Sequence, residues 1–281
     1  MTTDILYSQI CAKKTLLCVG LDTDFDKLPP HIQSRSTRGE VALNGFLFGG
    51  KPRSIIDFNK AIIDATAPYC VAFKPNVAFY ESLGLEGMRV LDCTVGYIRE
   101  HHPEMFIIAD AKRGDIGNTA KMYARTYFEL MDFDAVTLSP YMGTDTVLPF
   151  LEYPGKYAIV VALSSNPSAA DFQLSSAGEP PLYRRVIERM MTVSTPENMM
   201  FVVGATRADH LREIRSFCPD HFLLVPGVGA QGGSAQEVIE AGKNAKGGLL
   251  INSSRGVLYA SQGEDFAKAA ADVAAATARY R

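Results

Sequence analysis

The sequence predicts a single α/β domain over residues 1–281, a (β/α)8 TIM barrel with long loops after its first and fifth strands. Three observations predict it. Eight short apolar runs of strand character are each followed by a helical stretch, and strict βα alternation implies a parallel sheet covered by helices, which closes at eight repeats. The chain length of 281 residues suits one such barrel. Polar and charged residues collect at the C-terminal ends of the strands, where barrels of this type carry their sites. A doubly wound open sheet is the other architecture the alternation allows.

Taken in order, Asp4 to Lys14 reads as a leading helix and Leu16 to Asp22 as the first strand. Thr23 to Ser54 is long, polar and rich in Pro and Gly, and is expected to be a surface insertion, part of it helical or serving an interface. Asp57 to Ala67 has helical spacing and stops at Pro68, and Cys70 to Lys74 is the second strand. Helix Gly84 to His101 leads to strand Met105 to Lys112, and helix Asn118 to Met131 to strand Asp134 to Ser139. A short helix, Gly143 to Glu152, precedes strand Tyr157 to Leu163. The second long connection, Ser164 to Pro181, contains Asn166-Pro167 and Pro180-Pro181 and carries Phe172 and Leu174, a composition suited to a lid. Helix Leu182 to Thr195, strand Met199 to Gly204, helix Arg207 to Cys218, strand Phe222 to Pro226, helix Ser234 to Ala241, strand Gly247 to Asn252 and helix Glu264 to Tyr280 complete the set.

Composition narrows the function classes. A net charge of −3 with mixed signs along the chain gives no basic stripe for a nucleic-acid partner. Met1 to Lys14 lacks the charged start and apolar core of a secretory signal, and no apolar run is long enough to span a bilayer, so a cytoplasmic protein without a membrane partner is expected. Five cysteines without CxxC spacing read as reduced thiols, mostly buried. The five histidines show no HExxH spacing and none ends a strand, which argues against zinc. Asp22 and Asp110 have the chemistry to hold Mg²⁺, but neighbouring lysines compete for the same carboxylates.

The stretch Asp110-Ala-Lys112-Arg-Gly-Asp115 places an acid, a base and a second acid at a strand end. Strand alternation puts Asp110 and Lys112 on one face as neighbours. Two readings are open, a structural ion pair and an active-site cluster, because burying such charges is tolerated when they pair or react. The other strand ends add Asp22, Lys74, Thr137 with Ser139, and Ser164 with Ser165. Singly these have plain alternatives: Asp22 as a turn initiator, Lys74 reaching out to solvent, Ser165 as turn chemistry, and Asp115 as a helix N-cap. Together they converge on one rim.

The last two strands supply a different chemistry. Pro226 to Ser234 joins a strand to a helix through a glycine-rich segment, and Ser254-Arg255-Gly follows the final strand. Backbone N–H groups at a helix start and a guanidinium suit one phosphate, and this fold builds phosphate sites after its seventh and eighth strands. Gly227 to Gly232 also fits GxGxxG, but the next strand ends without the acid that holds a ribose in dinucleotide sites, so a monophosphate is expected.

These residues resemble the DxKxxDI…T signature of the orotidine 5′-phosphate decarboxylase family, carried here by Asp110, Lys112, Asp115, Ile116 and Thr119. Gly20-Leu-Asp22, Phe73-Lys74, Ser165-Asn-Pro, Gly229-Ala-Gln231-Gly-Gly and Ser254-Arg255-Gly match its other motifs in order, and the longer bacterial form most of all. The resemblance implies decarboxylation of orotidine 5′-monophosphate to UMP and CO2 without cofactor or metal. It makes Lys112 the group that stabilises and protonates C6, Asp110 the neighbour of the leaving carboxylate, and Lys74 and Asp115 the rest of an alternating array. Asp22 and Lys74 would bind ribose hydroxyls, Ser165 the pyrimidine edge, and Gln231, Arg255, Gly229 and Gly232 the phosphate. It also implies a homodimer in which Asp115 and Thr119 serve the partner's site. Two alternatives stand beside it: the Mg-dependent hexulose-phosphate synthases and ketogulonate-phosphate decarboxylases that share the DxKxxD strand, and a non-catalytic sensor of UMP-like nucleotides.

Overall fold

A computed structural model of the chain describes all residues except 38, 44, 177, 206–207, 229–233 and 281. Its strands are β1 Leu17–Gly20, β2 Val41–Leu43, β3 Phe46–Phe48, β4 Ala72–Lys74, β5 Phe106–Arg113, β6 Ala135–Leu138, β7 Tyr157–Leu163, β8 Met199–Val203, β9 Leu223–Pro226 and β10 Leu249–Ser253. β1 pairs in parallel with both β10 and β4, closing an eight-stranded barrel in the order β1-β10-β9-β8-β7-β6-β5-β4. The barrel is therefore the architecture, and the open sheet is not. Its strands are buried almost throughout because helices cover them outside and their own side chains fill them inside.

Helix Thr3–Lys13 lies across the N-terminal end of the barrel. It buries Leu6 and Ile10 and touches residues that precede strands: Thr3 N–H donates to Glu197, and Lys13 Nζ donates to the Ala67 carbonyl at 2.9 Å. That end is plugged, which leaves the C-terminal ends of the strands as the accessible mouth. Among the described residues no helix is long and apolar enough to cross a membrane, and all five cysteines are free thiols, four of them buried.

The insertion after β1 departs from expectation. It contains a hairpin, β2 with β3, and buries Leu28, Ile32 and Phe48 against the barrel. The following helix runs Gly50–Thr66, starting seven residues before the predicted Asp57. Pro52 is tolerated because the first helical turn needs no N–H partners. Ser54 donates to the Ile32 carbonyl at 2.9 Å, which ties the insertion to the helix. Polar composition hid this element, since only a few apolar residues, Leu28, Ile32 and Phe48 among them, anchor it. The connection after β7 contains only the short helix Ala169–Phe172 among its described residues.

Candidate active site

β4 and β5 deliver the charged core of the mouth. Lys74, 3% exposed, donates from Nζ to Asp110 Oδ2 at 2.8 Å and lies 3.9 Å from Asp22 Oδ1. Lys112 donates to the other oxygen, Asp110 Oδ1, at 2.5 Å. Burial pushes the Lys74 ammonium down, but Asp110 and Asp22 beside it outweigh that and hold it above its ordinary value. Burial likewise pushes Asp110 up, yet Lys74 and Lys112 overcome it and leave the carboxyl well below the usual range. The cluster is a charged one at neutral pH. Cys18, beneath it on β1, is pushed up to about 12 by burial and is a neutral packing group there.

Asp110 and Lys112 do meet, but not through simple strand alternation. β5 is irregular against β6: Ala109 pairs with Val136 and Arg113 with Leu138, so three residues of β5 face the single residue Thr137. Lys112 sits at φ 46°, in the left-handed region that few non-glycine residues adopt. The sequence contains no glycine at this point to announce the bulge.

Asp22 is held by its neighbours' hydroxyls. Tyr80 donates to the Leu21 carbonyl at 3.0 Å and Tyr259 to the Asp22 carbonyl at 3.2 Å, which fixes the chain on either side of the carboxylate. Its Oδ1 is buried without a hydrogen-bond partner among the described residues. Asn252, on β10, repeats the pattern: it is 7% exposed, and its Oδ1 is buried and unpartnered while Nδ2 donates to Ser254. Both line a cavity of about 140 Å³ with Lys74, Asp110, Ser254 and Arg255. Arg255 opens a short helix, is exposed, and makes no ion pair among the described residues. A Cβ at Gly20 would collide with the Ser254 hydroxyl, so glycine there lets the Arg255 loop close onto β1.

A second cavity, of about 540 Å³, adjoins Lys112 and is lined by Val161, Ala162 and Tyr183 and by Phe172 and Gln173 of the long connection. Gln173 accepts from the Ser164 N–H at 2.7 Å, pinning that connection beside Ser165. Ser165 itself packs against Gly204, where a Cβ would come within 2.7 Å of its N–H nitrogen.

Five predicted residues, Asp22, Lys74, Asp110, Lys112 and Arg255, thus come together at the mouth, with Ser165 on an adjacent loop. Asp115 and Thr119 do not join them. Asp115 lies at the surface and accepts from the Ile116 N–H at 2.8 Å, and Thr119 is exposed on helix Gly117–Arg125. The N-cap of that helix is Ile116, without a side-chain bond, so the capping reading of Asp115 is incorrect. Gly229, Gln231 and Gly232 lie outside the described residues. Among the described residues no group of three or more His, Cys, Asp or Glu is arranged as a metal cluster. The sequence marks Thr137 as a polar strand end without assigning it a specific role, and it assigns Asn252 none, although Asn252 too is a polar residue at the end of an apolar strand.

These features define a class: a TIM-barrel protein whose C-terminal mouth combines a lysine–aspartate cluster with an arginine, unpaired among the described residues, at a small polar cavity. Comparison with known proteins narrows it. Residues 15–270 match the Orotidine 5'-phosphate decarboxylase / HUMPS family. The chain is 52% identical over 280 residues to the orotidine 5'-phosphate decarboxylase of Porphyromonas gingivalis, covering 99% of this chain and 96% of that one. It is 50% identical over 271 residues to that of Bacteroides fragilis, covering 96% and 93%. The solved OMP decarboxylase of Leishmania donovani superposes with a TM-score of 0.75 at 32% identity, over 97% and 96% of the two chains. The UMP synthase of the same organism gives 0.77 at 34% identity, over 96% of this chain and 54% of that one, so this chain spans about half its length. The chain belongs to the orotidine 5'-phosphate decarboxylase / HUMPS family.

Proposed function

We infer that this protein is a carboxy-lyase that converts orotidine 5'-phosphate to UMP and CO2, the last step of de novo UMP synthesis. The observation that carries this reading beyond family membership is the shared Asp110: one buried carboxylate holds both Lys74 and Lys112 beside the cavity that Arg255 lines.

In the proposed mechanism Arg255 and the segment that contains Gly229, Gln231 and Gly232 bind the phosphate. Asp22, whose Oδ1 is an unmet acceptor, and Lys74 take the ribose hydroxyls, and Ser165 takes the pyrimidine edge. Asp110 then faces the C6 carboxylate. The C6–carboxylate bond breaks, its electron pair stays on C6, and CO2 departs. Lys112 stabilises the developing negative charge and gives its ammonium proton to C6, leaving a neutral amine that solvent reprotonates. A fixed cation is effective here because the cluster is assembled before the substrate arrives. Phosphate contacts remote from C6 supply binding energy that orients the reacting centre.

The reading includes a cytoplasmic homodimer in which Asp115 and Thr119 enter the partner's mouth. Two features support it. Neither residue serves the site of its own chain, and apolar side chains are exposed both on their segment, at Ile116 and Met122, and at the rim of the Lys112 cavity, where Tyr141 is 85% exposed. Such a patch at a site's edge favours association.

Lys112→Ala tests both parts. Alone, its kcat is expected to fall on the order of 10⁴-fold with UMP affinity within about tenfold of wild type. Mixed with Asp115→Ala and allowed to exchange subunits, it is expected to recover about a quarter of wild-type activity, because half the dimers then carry one intact site. A modest loss in Lys112→Ala would reassign the proton donor, and no recovery on mixing would refute the shared site.

A further inference from the structure

Thr137 occupies the one position of β6 that faces the irregular turn of β5, opposite Asp110, Ala111 and Lys112 together. A bulge of this kind removes a backbone N–H from the strand ladder, and a buried N–H without a partner is rare in folded proteins. Here the orphan belongs to Lys112. Its N–H donates to Thr137 Oγ1 at 2.9 Å. The same hydroxyl donates its proton to Asp110 Oδ1 at 3.1 Å, the oxygen that also receives Lys112 Nζ. Thr137 is 1% exposed, so water does not readily replace these bonds. The hydroxyl's donor and one of its lone pairs are thereby committed to the two groups placed closest to the reacting carbon.

We propose that Thr137 is a positioning residue for decarboxylation: its hydroxyl locks Lys112 in its left-handed backbone conformation and sets the rotation of the Asp110 carboxylate. Valine keeps the shape of threonine but offers neither donor nor acceptor. Without the hydroxyl, nothing on β6 takes the Lys112 N–H, and the residue is free to leave φ 46° for an ordinary strand conformation. The ammonium then moves with the backbone, and Asp110 keeps its lysines but loses its one neutral anchor. Misplacement on the ångström scale of a group that acts directly on the reacting atom reduces the chemical step while leaving remote phosphate and ribose contacts in place.

The inference rests on the decarboxylase reading for its kinetic arm and on geometry alone for its spectroscopic arm. With the full chain and orotidine 5'-phosphate, Thr137→Val is expected to lower kcat on the order of 10- to 100-fold with KM changed less than about threefold, and Thr137→Ser to stay within about threefold of wild type. Amide hydrogen exchange of the Lys112 N–H, followed by NMR, is expected to show protection in wild type and Thr137→Ser and its loss in Thr137→Val. If the valine variant does not fold, Thr137→Ser against Thr137→Ala decides, since both lack the methyl group and only serine keeps the hydroxyl. Equal kcat and equal protection in the hydroxyl-bearing and hydroxyl-free variants would overturn the proposal. Should wild type itself fail to turn over the substrate, the decarboxylase reading falls, and the exchange of the Lys112 amide alone confirms or refutes the role of Thr137.

Discussion

At the N-terminal end of the barrel Arg215, Arg99 and Lys156 are used up by backbone carbonyls and by the carboxylates of Asp132 and Asp134. Arg215 donates to the carbonyls of Gly242, Cys218, Pro219, His221 and Gly248. Arg99 bridges the Asp132 carbonyl and Asp134, whose Oδ2 also accepts from the Ile107 N–H at 2.9 Å, and Lys156 holds the Phe133 carbonyl and Asp132. At the C-terminal end Lys74 and Lys112 both donate to Asp110, while Asp22 Oδ1 and the Arg255 guanidinium lack hydrogen-bond partners among the described residues. Gln9, Tyr157 and His221 leave atoms unpartnered at the N-terminal end, but the first two are neutral and burial pushes His221 down to about 4, so it too is neutral near pH 7. The difference separates charge that closes a fold from charge held ready for a ligand. In the first case the donors end on carbonyls and carboxylates of the chain itself, and in the second capacity remains for groups the chain does not contain.

Substitutions that interchange the two behaviours would break this comparison. After Lys112, the largest effect is expected at Asp110. Asp110→Asn removes the anion that organises both lysines, and kcat for orotidine 5'-phosphate should fall on the order of 10³-fold, measured by steady-state turnover. A smaller effect is expected at Arg255. Arg255→Ala should raise KM on the order of 100-fold, because an unpaired guanidinium at a polar cavity supplies binding to the phosphate. A KM unchanged in that variant would detach the cavity from substrate binding. At the other end, Asp134→Ala should leave kcat within about twofold of wild type and cost about 3 kcal/mol of stability in urea, because it strands the buried Ile107 N–H and removes one of the acceptors of Arg99. If Asp134→Ala slowed turnover in the folded protein while Asp110→Asn did not, the assignment of roles to the two ends would be reversed.

The sequence made the barrel legible because all eight barrel strands are apolar runs bounded by turn residues, and each predicted strand overlaps an observed one. Asp22, Lys74, Asp110 and Lys112 were legible for a related reason, since charged residues at several apolar strand ends converge on one rim, and Arg255 because it follows the last strand beside a glycine-rich connection. The hairpin at 41–48 was not, because each of its strands is only three residues long and no helix or strand period emerges in such a span. Nor was the bulge at Lys112, where β6 and Pro75, whose carbonyl accepts the Asp110 N–H at 3.0 Å, dictate the backbone rather than local propensity. Asp115 shows a further limit. Its sequence context fits a cap, and only its placement outside the cluster of its own chain separates it from Asp110.

The most direct test is to treat the purified protein with EDTA, mix it with orotidine 5'-phosphate and follow CO2 release together with UMP formation. Stoichiometric CO2 and UMP at a rate unaffected by the chelator is the predicted result. No release from well-folded protein, or release that requires added Mg²⁺, would contradict the account in which Lys112 and its carboxylate neighbours carry the reaction.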